Sequence, residues 1–278
     1  MNQIELINVR KDYTTKTLGT VTAVNNFNLT IKKGECFSFL GPSGCGKTTT
    51  LRMLAGFEDL SEGEIRLEGK VVSNKAKNLY VPPEHRNLGM VFQAFAVWPH
   101  LNVFDNVAFP LQVQKRPKAE IEERVNLALK QTNLLDQAKV FPSDLSGGEQ
   151  QRIALARSIV VNPGILLLDE PLSNLDPKLR ESMRFEIKRL QKEYNFTIVF
   201  VTHDQSEALA LSDRLLVMNK GEIIQIGTPQ ELYNKPVSLF VHNFLGESNF
   251  TKVEYRDGKV YAEGDTTQPL PCTIQHMD

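Results

Sequence analysis

The stretch "GPSGCGKT" at residues 41–48 is built to meet an anion. Gly41, Gly44 and Gly46 let successive backbone N–H groups point into one concavity. Lys47 adds a positive charge beside the hydroxyl of Thr48. The spacing satisfies G-x-x-x-x-G-K-[ST]: the loop cradles phosphates, the lysine reaches the β- and γ-phosphates, and the hydroxyl ligates Mg²⁺. Pro42, Ser43 and Cys45 complete the loop, and Thr49 is a further phosphate donor. The alternative is an ordinary glycine turn. The context favours the phosphate reading, because "ECFSFL" (35–40) reads as a buried strand and Lys47–Ala55 as a helix.

A second candidate is "ILLLDE" at 165–170. A carboxylate at the end of a buried strand can hold a magnesium shell, which places Asp169. Glu170 follows at once and can polarise an attacking water. A solvated Asp-Glu loop is the plainer alternative, weakened by the phosphate loop upstream. Three residues are weak alone. His203 closes "FTIVFVTH", Gln93 follows "LGMVF", and the ring of Tyr13 could stack on a base or simply pack. "DLSGGEQQR" (144–152) poses a different question, since glycine costs about 1 kcal/mol relative to alanine inside a helix. Ser146 and Glu149 fit a capping box, serine at the N-cap and glutamate three residues on. Gly147 and Gly148 also leave bare amides at a helix start, a landing place for an anion.

These residues need a scaffold, and the apolar pattern supplies one. "GILLLDE" (164–170) and "FTIVFVTH" (196–203) read as strands buried on both faces, and "LGMVFQ" (88–93) as another. Ile121, Val125 and Ala128 recur at helical spacing over 118–132; Leu179, Met183, Ile187 and Leu190 do so over 177–194. Strands alternating with helices imply an α/β domain with a mostly parallel sheet. Val253, Tyr255, Val260 and Tyr261 flank an Asp-Gly turn and predict a hairpin. The 278 residues carry a net charge of −1, so no basic footprint points to nucleic acid. No apolar run is long enough to cross a bilayer, and "MNQIELINVRKDY" lacks the apolar region of a secretory signal. Cys36, Cys45 and Cys272 form no C-x-x-C pair, which fits a reducing, cytosolic setting.

Taken together, the segments resemble the ATP-binding cassette family of transport ATPases over residues 3–246. The resemblance implies an α/β P-loop NTPase core with a mostly parallel sheet, an antiparallel β subdomain, a helical signature subdomain and a short β-rich tail. It places the nucleotide-binding domain at 1–240, with the helical part at about 94–160. It makes the protein an ATPase at the cytoplasmic face of a membrane, with ATP and Mg²⁺, working as a head-to-tail dimer. Ser146, Gly147, Gly148 and Glu149 of one chain would then meet the γ-phosphate held by the partner's phosphate loop. The commoner signature has glutamine at its fifth position, where this chain has Glu149. Glu170 would be the general base and His203 a γ-phosphate sensor. Gln93 would contact magnesium and water and signal to the membrane partner. Asp176, in "SNLD" (173–176), would couple the two sites.

The spacing is most similar to importer ATPases for sugars, polyamines and iron(III), and "AVWPH" (96–100) to iron(III)-type members. The expected partners are integral permease subunits and, indirectly, a solute-binding protein. The loop "AFAVWPHLNVF" (94–104) is either core or a groove for a short permease helix. Relatives carry a complete OB-like regulatory domain after this point. Residues 241–278 are expected to be its truncated beginning. A nucleic-acid cassette ATPase is the competing class, but the coiled coils or second cassette of those proteins are missing. A P-loop kinase or GTPase would leave "LSGGEQQR" unexplained.

Overall fold

Two long antiparallel strands, β1 (Asn2–Thr15) and β2 (Gly19–Lys32), precede β3 (Cys36–Leu40) and α1 (Lys47–Ala55). Then come β4 (Glu62–Leu67), β5 (Lys70–Asn74), β6 (Leu79–Tyr80) and β7 (Leu88–Val91). A helical stretch follows, with α2 (Val103–Val113), α3 (Lys118–Gln131) and α4 (Gly147–Ile159). The chain continues through β8 (Ile165–Asp169), α5 (Pro177–Tyr194), β9 (Thr197–Thr202), α6 (Gln205–Leu211), β10 (Arg214–Asn219) and β11 (Glu222–Gly227). Helices α7 (Pro229–Asn234) and α8 (Leu239–Leu245) and the hairpin β12 (Val253–Arg256), β13 (Lys259–Ala262) complete it. This computed structural model describes residues 2–15, 19–246, 251–264 and 267–270. Cys272 lies outside the described residues.

Every residue of β3, β8 and β9 is buried. Such strands need cover on both faces, and they sit inside a sheet of order β11-β10-β3-β9-β8-β7. Its pairs are parallel except β10–β11. Alternation along the strands divides the core. Leu166, Leu168, Ile198 and Phe200 face the α2–α5 side. Ile165, Leu167, Val199, Val201, Phe37 and Phe39 face α1 and the antiparallel sheet β2-β1-β4-β5-β6. The fold is thus α/β, with an antiparallel β layer and a helical layer added to a mostly parallel sheet.

The order of strands positions the site. The carboxyl ends of parallel strands are where ligands bind in open α/β sheets. Here β3, β9, β8 and β7 are neighbours, and the segments after them carry the phosphate loop, His203, Glu170 and Gln93. Two strands stop short of the expected residue. The β3–β9 ladder ends at the pair Leu40–Thr202, so His203 has no ladder partner and starts a loop. Likewise β7 ends at Val91, leaving Gln93 exposed.

Arg86 locks the back of the phosphate helix. Its Nη1 donates to the carbonyls of Met53 (2.7 Å) and Leu54 (2.9 Å) in the last turn of α1. Its Nε donates to Val81 O (2.7 Å) and its Nη2 to Ser73 Oγ (2.8 Å). Burial pushes its pKa down to about 10. Arg86→Met would leave these acceptors buried and unpaired, at about 3 kcal/mol or more. Urea unfolding of the variant reads that loss; a midpoint equal to wild type would refute the capping role.

Candidate functional site

Helix α1 starts without a side-chain cap and without an acid in its first turn. Its N-cap, Gly46, has φ +107°, and a Cβ there would stand 2.4 Å from the carbonyl oxygen of Ala23. Only glycine fits that approach to β2. Gly44 has φ +78° with open space beside it, and both it and Ser43 are exposed. The loop therefore presents unfilled N–H donors at a helix N-terminus, where the dipole favours an anion. Lys47 is buried, and its ammonium donates to the carbonyls of Gly41 (2.7 Å) and Pro42 (3.0 Å), with Cys45 Sγ 3.8 Å away. Among the described residues no carboxylate lies within ion-pair distance of it. A buried cation held by two carbonyls and a thiol, all uncharged, is poised for an anionic ligand.

Across from the loop, Thr48 Oγ1 donates to Asp169 Oδ1 at 3.2 Å. Burial raises the pKa of Asp169, opposed by that hydrogen bond and by Arg52 and Lys47. Glu170 takes a left-handed backbone, φ +44°, with its N–H on the carbonyl of Val201 (2.9 Å). That turn brings Glu170 Oε2 to 3.3 Å from Gln93 Nε2 and 3.1 Å from His203 Nδ1. The loop 173–176 braces the cluster. Ser173 Oγ donates to the carbonyl of Glu170 (3.0 Å) and Asn174 Nδ2 to that of Gln93 (3.0 Å). Arg180 holds the carbonyls of Leu175 (2.8 Å) and Ser173 (3.3 Å) and reaches within 3.9 Å of Asp204, next to His203.

The phosphate loop, Gln93, Asp169, Glu170 and His203 are thus brought together. The signature is not. Ser146 Oγ donates to Glu149 Oε2 at 2.6 Å, and Glu149 Oε2 also accepts from the Ser146 N–H at 2.8 Å, closing the capping box. The Ser146 hydroxyl, first, and Gln137 hold the Glu149 carboxyl below its usual range. Gly148 packs on Leu179, whereas Ser146 and Gly147 are exposed. Asp176 caps α5 through the N–H groups of Lys178 and Leu179, both at 3.1 Å. Tyr13, half-buried on β1, pairs with Val21 of β2 and carries the Lys11 ammonium 4.9 Å from its ring centroid. Thr49 is half-buried in the first turn of α1. The bracing residues Ser173, Asn174 and Arg180 carried no spacing signal of their own. "SNLD" marked the place but not the bonds.

A family profile described as "ABC transporter" matches residues 24–173. The spermidine/putrescine import ATP-binding protein PotA of Thermobifida fusca (strain YX) is 53% identical over 246 residues, which is 88% of this chain and 62% of that protein. The trehalose/maltose import ATP-binding protein MalK of Thermococcus litoralis is 49% identical over 231 residues, covering 83% of this chain and 62% of its own length. The chain spans 62% of the length of each of these relatives. A solved dimer of the ATP-binding cassette MJ0796, bound to ADP and Pi, superposes with a TM-score of 0.70 and 33% identity, covering 81% of this chain and 98% of that one. The profile spans more than half of the chain and includes the phosphate loop, Gln93, Ser146 and Glu170. Agreement in sequence and fold has one consequence: the chain belongs to the ABC transporter family.

Proposed function

We propose that the chain is the ATP-hydrolysing subunit of a multi-chain membrane importer, acting as a head-to-tail dimer at the cytoplasmic face of the membrane. The observation that carries this reading is Lys47, a buried ammonium at the uncapped start of α1 with no carboxylate within ion-pair distance among the described residues. A nucleotide's phosphates complete both. The loop 41–49 holds them, and Tyr13 lies beside the base. Glu170 accepts a proton from the attacking water, and Gln93 and His203 hold that carboxylate in place. Catalysis of this kind rests on positioning and charge neutralisation.

The donor set suits Mg²⁺. Asp169 is a buried carboxylate whose hydrogen bond, among the described residues, comes from Thr48 alone. A small hard cation with oxygen ligands would offset its burial. Thr48, Asp169 and Gln93 would hold the ion, which when bound neutralises phosphate charge. The test is phosphate release from ATP with and without Mg²⁺, and its loss in Lys47→Ala. Metal-independent release, or a fully active Lys47→Ala, would refute the reading.

The cargo reading shifts to a polyamine or a sugar in place of iron(III). The relatives' names support this: one imports spermidine/putrescine and the other trehalose/maltose. Within "AVWPH", Trp98 packs on Phe109 and under the Arg157 guanidinium. Among the described residues no helix is long and apolar enough to cross a membrane; the partners in this reading are integral permease subunits. Their short helix would seat in the cleft of about 730 Å³ lined by Phe57, Phe92, Trp98 and Phe109. Uptake of labelled putrescine or maltose by cells carrying the complete system separates the two cargoes. We read the hairpin β12–β13 as the first strands of a regulatory β unit.

Cys45 gives a chemical handle on the same loop. Burial raises its pKa, and Lys47 opposes the shift. A thiol of raised pKa is mostly protonated at pH 7 and attacks through its thiolate. Maleimide inactivation should therefore be slower than for a free thiol and accelerate as pH rises toward 9. Bound ATP should protect. Burial pushes Cys36 to about 12, which keeps it inert. Equal inactivation of Cys45→Ala would show that another group is responsible.

A further inference from the structure

Helix α4 begins at the exposed Ser146 cap and carries Arg157 in its last turn, roughly 16 Å away along the axis. Beyond Gly148 it contains neither glycine nor proline, and Ile153 through Ala156 are all buried. It is therefore a stiff rod. Arg157 reaches from it into the loop that follows Gln93. Its guanidinium donates to the carbonyls of Ala96 (2.8 Å) and Phe95 (3.2 Å) and lies over the ring of Trp98, 4.4 Å from the centroid. Trp98 packs on Phe109, centroids 4.5 Å apart. Fully buried Asn106 holds the Trp98 backbone by both its N–H (2.9 Å) and its carbonyl (3.0 Å).

Among the described residues Arg157 has no ion-pair partner, and burial lowers its pKa. A half-buried cation without a counter-ion costs stability relative to apolar packing. Stability alone does not account for arginine at this position. What the side chain achieves is a two-carbonyl and ring grip on the loop that walls the cleft. The geometry points to Arg157 as a positioning residue that makes the Trp98 wall of the cleft move with the signature helix. Capture of the partner's nucleotide by Ser146 at one end of the rod is thereby registered at the other. This rests on the shared-site reading above.

Trp98 is the only tryptophan, so its emission reads the cleft directly. The full chain is used in a Glu170→Gln background, with Mg-ATP added and dimer formation followed by light scattering. Trp98 emission should change in the parent. In Arg157→Met the change should fall at least about threefold. Arg157→Lys should keep part of it, since an ammonium retains the attraction to the ring but not the fork to two carbonyls. ATP binding by calorimetry and thermal unfolding are read on the same samples. A purely structural role would lower the melting temperature and leave the emission change per bound ATP as it was. An unchanged response in Arg157→Met overturns the inference, as does a parent that binds ATP and dimerises without any response. If Arg157→Met does not fold, a full-sized response in Arg157→Lys overturns it. A parent that binds no ATP overturns the nucleotide reading instead, and the inference with it.

Discussion

Glu170→Gln lowers ATP hydrolysis by about a hundredfold or more and leaves ATP bound. The carboxylate has two neighbours that fix its proton-accepting oxygen, Gln93 Nε2 at 3.3 Å and His203 Nδ1 at 3.1 Å. An amide of the same shape can keep one of these contacts, but it cannot take a proton from water. The backbone does not depend on the side chain. The left-handed turn at Glu170 is held by its own N–H on Val201 and by Ser173 on its carbonyl. The phosphate loop sits on a different strand end and is untouched. Single-turnover phosphate release and equilibrium ATP binding, measured on one preparation, separate the two effects. Hydrolysis at the wild-type rate would remove Glu170 from the role of base.

Mixing two dead variants restores activity. Lys47→Ala lacks the phosphate grip, and Ser146→Arg blocks the exposed signature; each is inactive alone. In a head-to-tail heterodimer one composite site carries both lesions and the other carries neither. The intact site combines the phosphate loop of the Ser146→Arg chain with the signature of the Lys47→Ala chain. Within one chain the Ser146 hydroxyl and N–H are engaged with Glu149, and Ser146 and Gly147 face outward. That outward placement puts the start of α4 within reach of a neighbouring chain, whose phosphate would have to displace the Glu149 contact to accept from Ser146. The assay is the ATPase rate against mixing ratio, with heterodimers verified and a dimer mutated in one chain as the active control. No recovery, with that control active, would mean that each signature serves its own chain.

Much of this was legible in the residues, and the illegible part has a physical reason. The runs 35–40, 164–170 and 196–203 could be read as strands because the middle of a parallel sheet is apolar on both faces. The helix 47–55 was bounded by Gly46 and Gly56, both left-handed in the structure. The capping box at Ser146 and Glu149 forms as its spacing required. By contrast, β1 and β2 hide their alternation, because their pairing shifts register between Asn2 and Ile4, Leu6 and Val9, Val9 and Lys11, and Lys11 and Asp12. The meeting of Gln93, Glu170 and His203 depends on strand order, which no local pattern encodes. Only the family resemblance anticipated it. Arg86 and Arg157 carry no signal in the sequence, since an arginine that bonds to carbonyls needs no acidic partner.

The place of β3 in its sheet also bears on synthesis. Its neighbours are β9 and β10, both far downstream. Translation proceeds at about 5–20 residues per second, so the roughly 180 residues between Leu40 and the end of β10 take about 10–35 s. For that interval the strand bearing the phosphate loop has at least one edge unpaired, and until β9 is made it has both edges unpaired and its apolar side chains uncovered. Nascent chains halted before Asn219 should therefore bind hydrophobic-segment chaperones and fail to retain nucleotide, although the whole "GPSGCGKT" loop is already made.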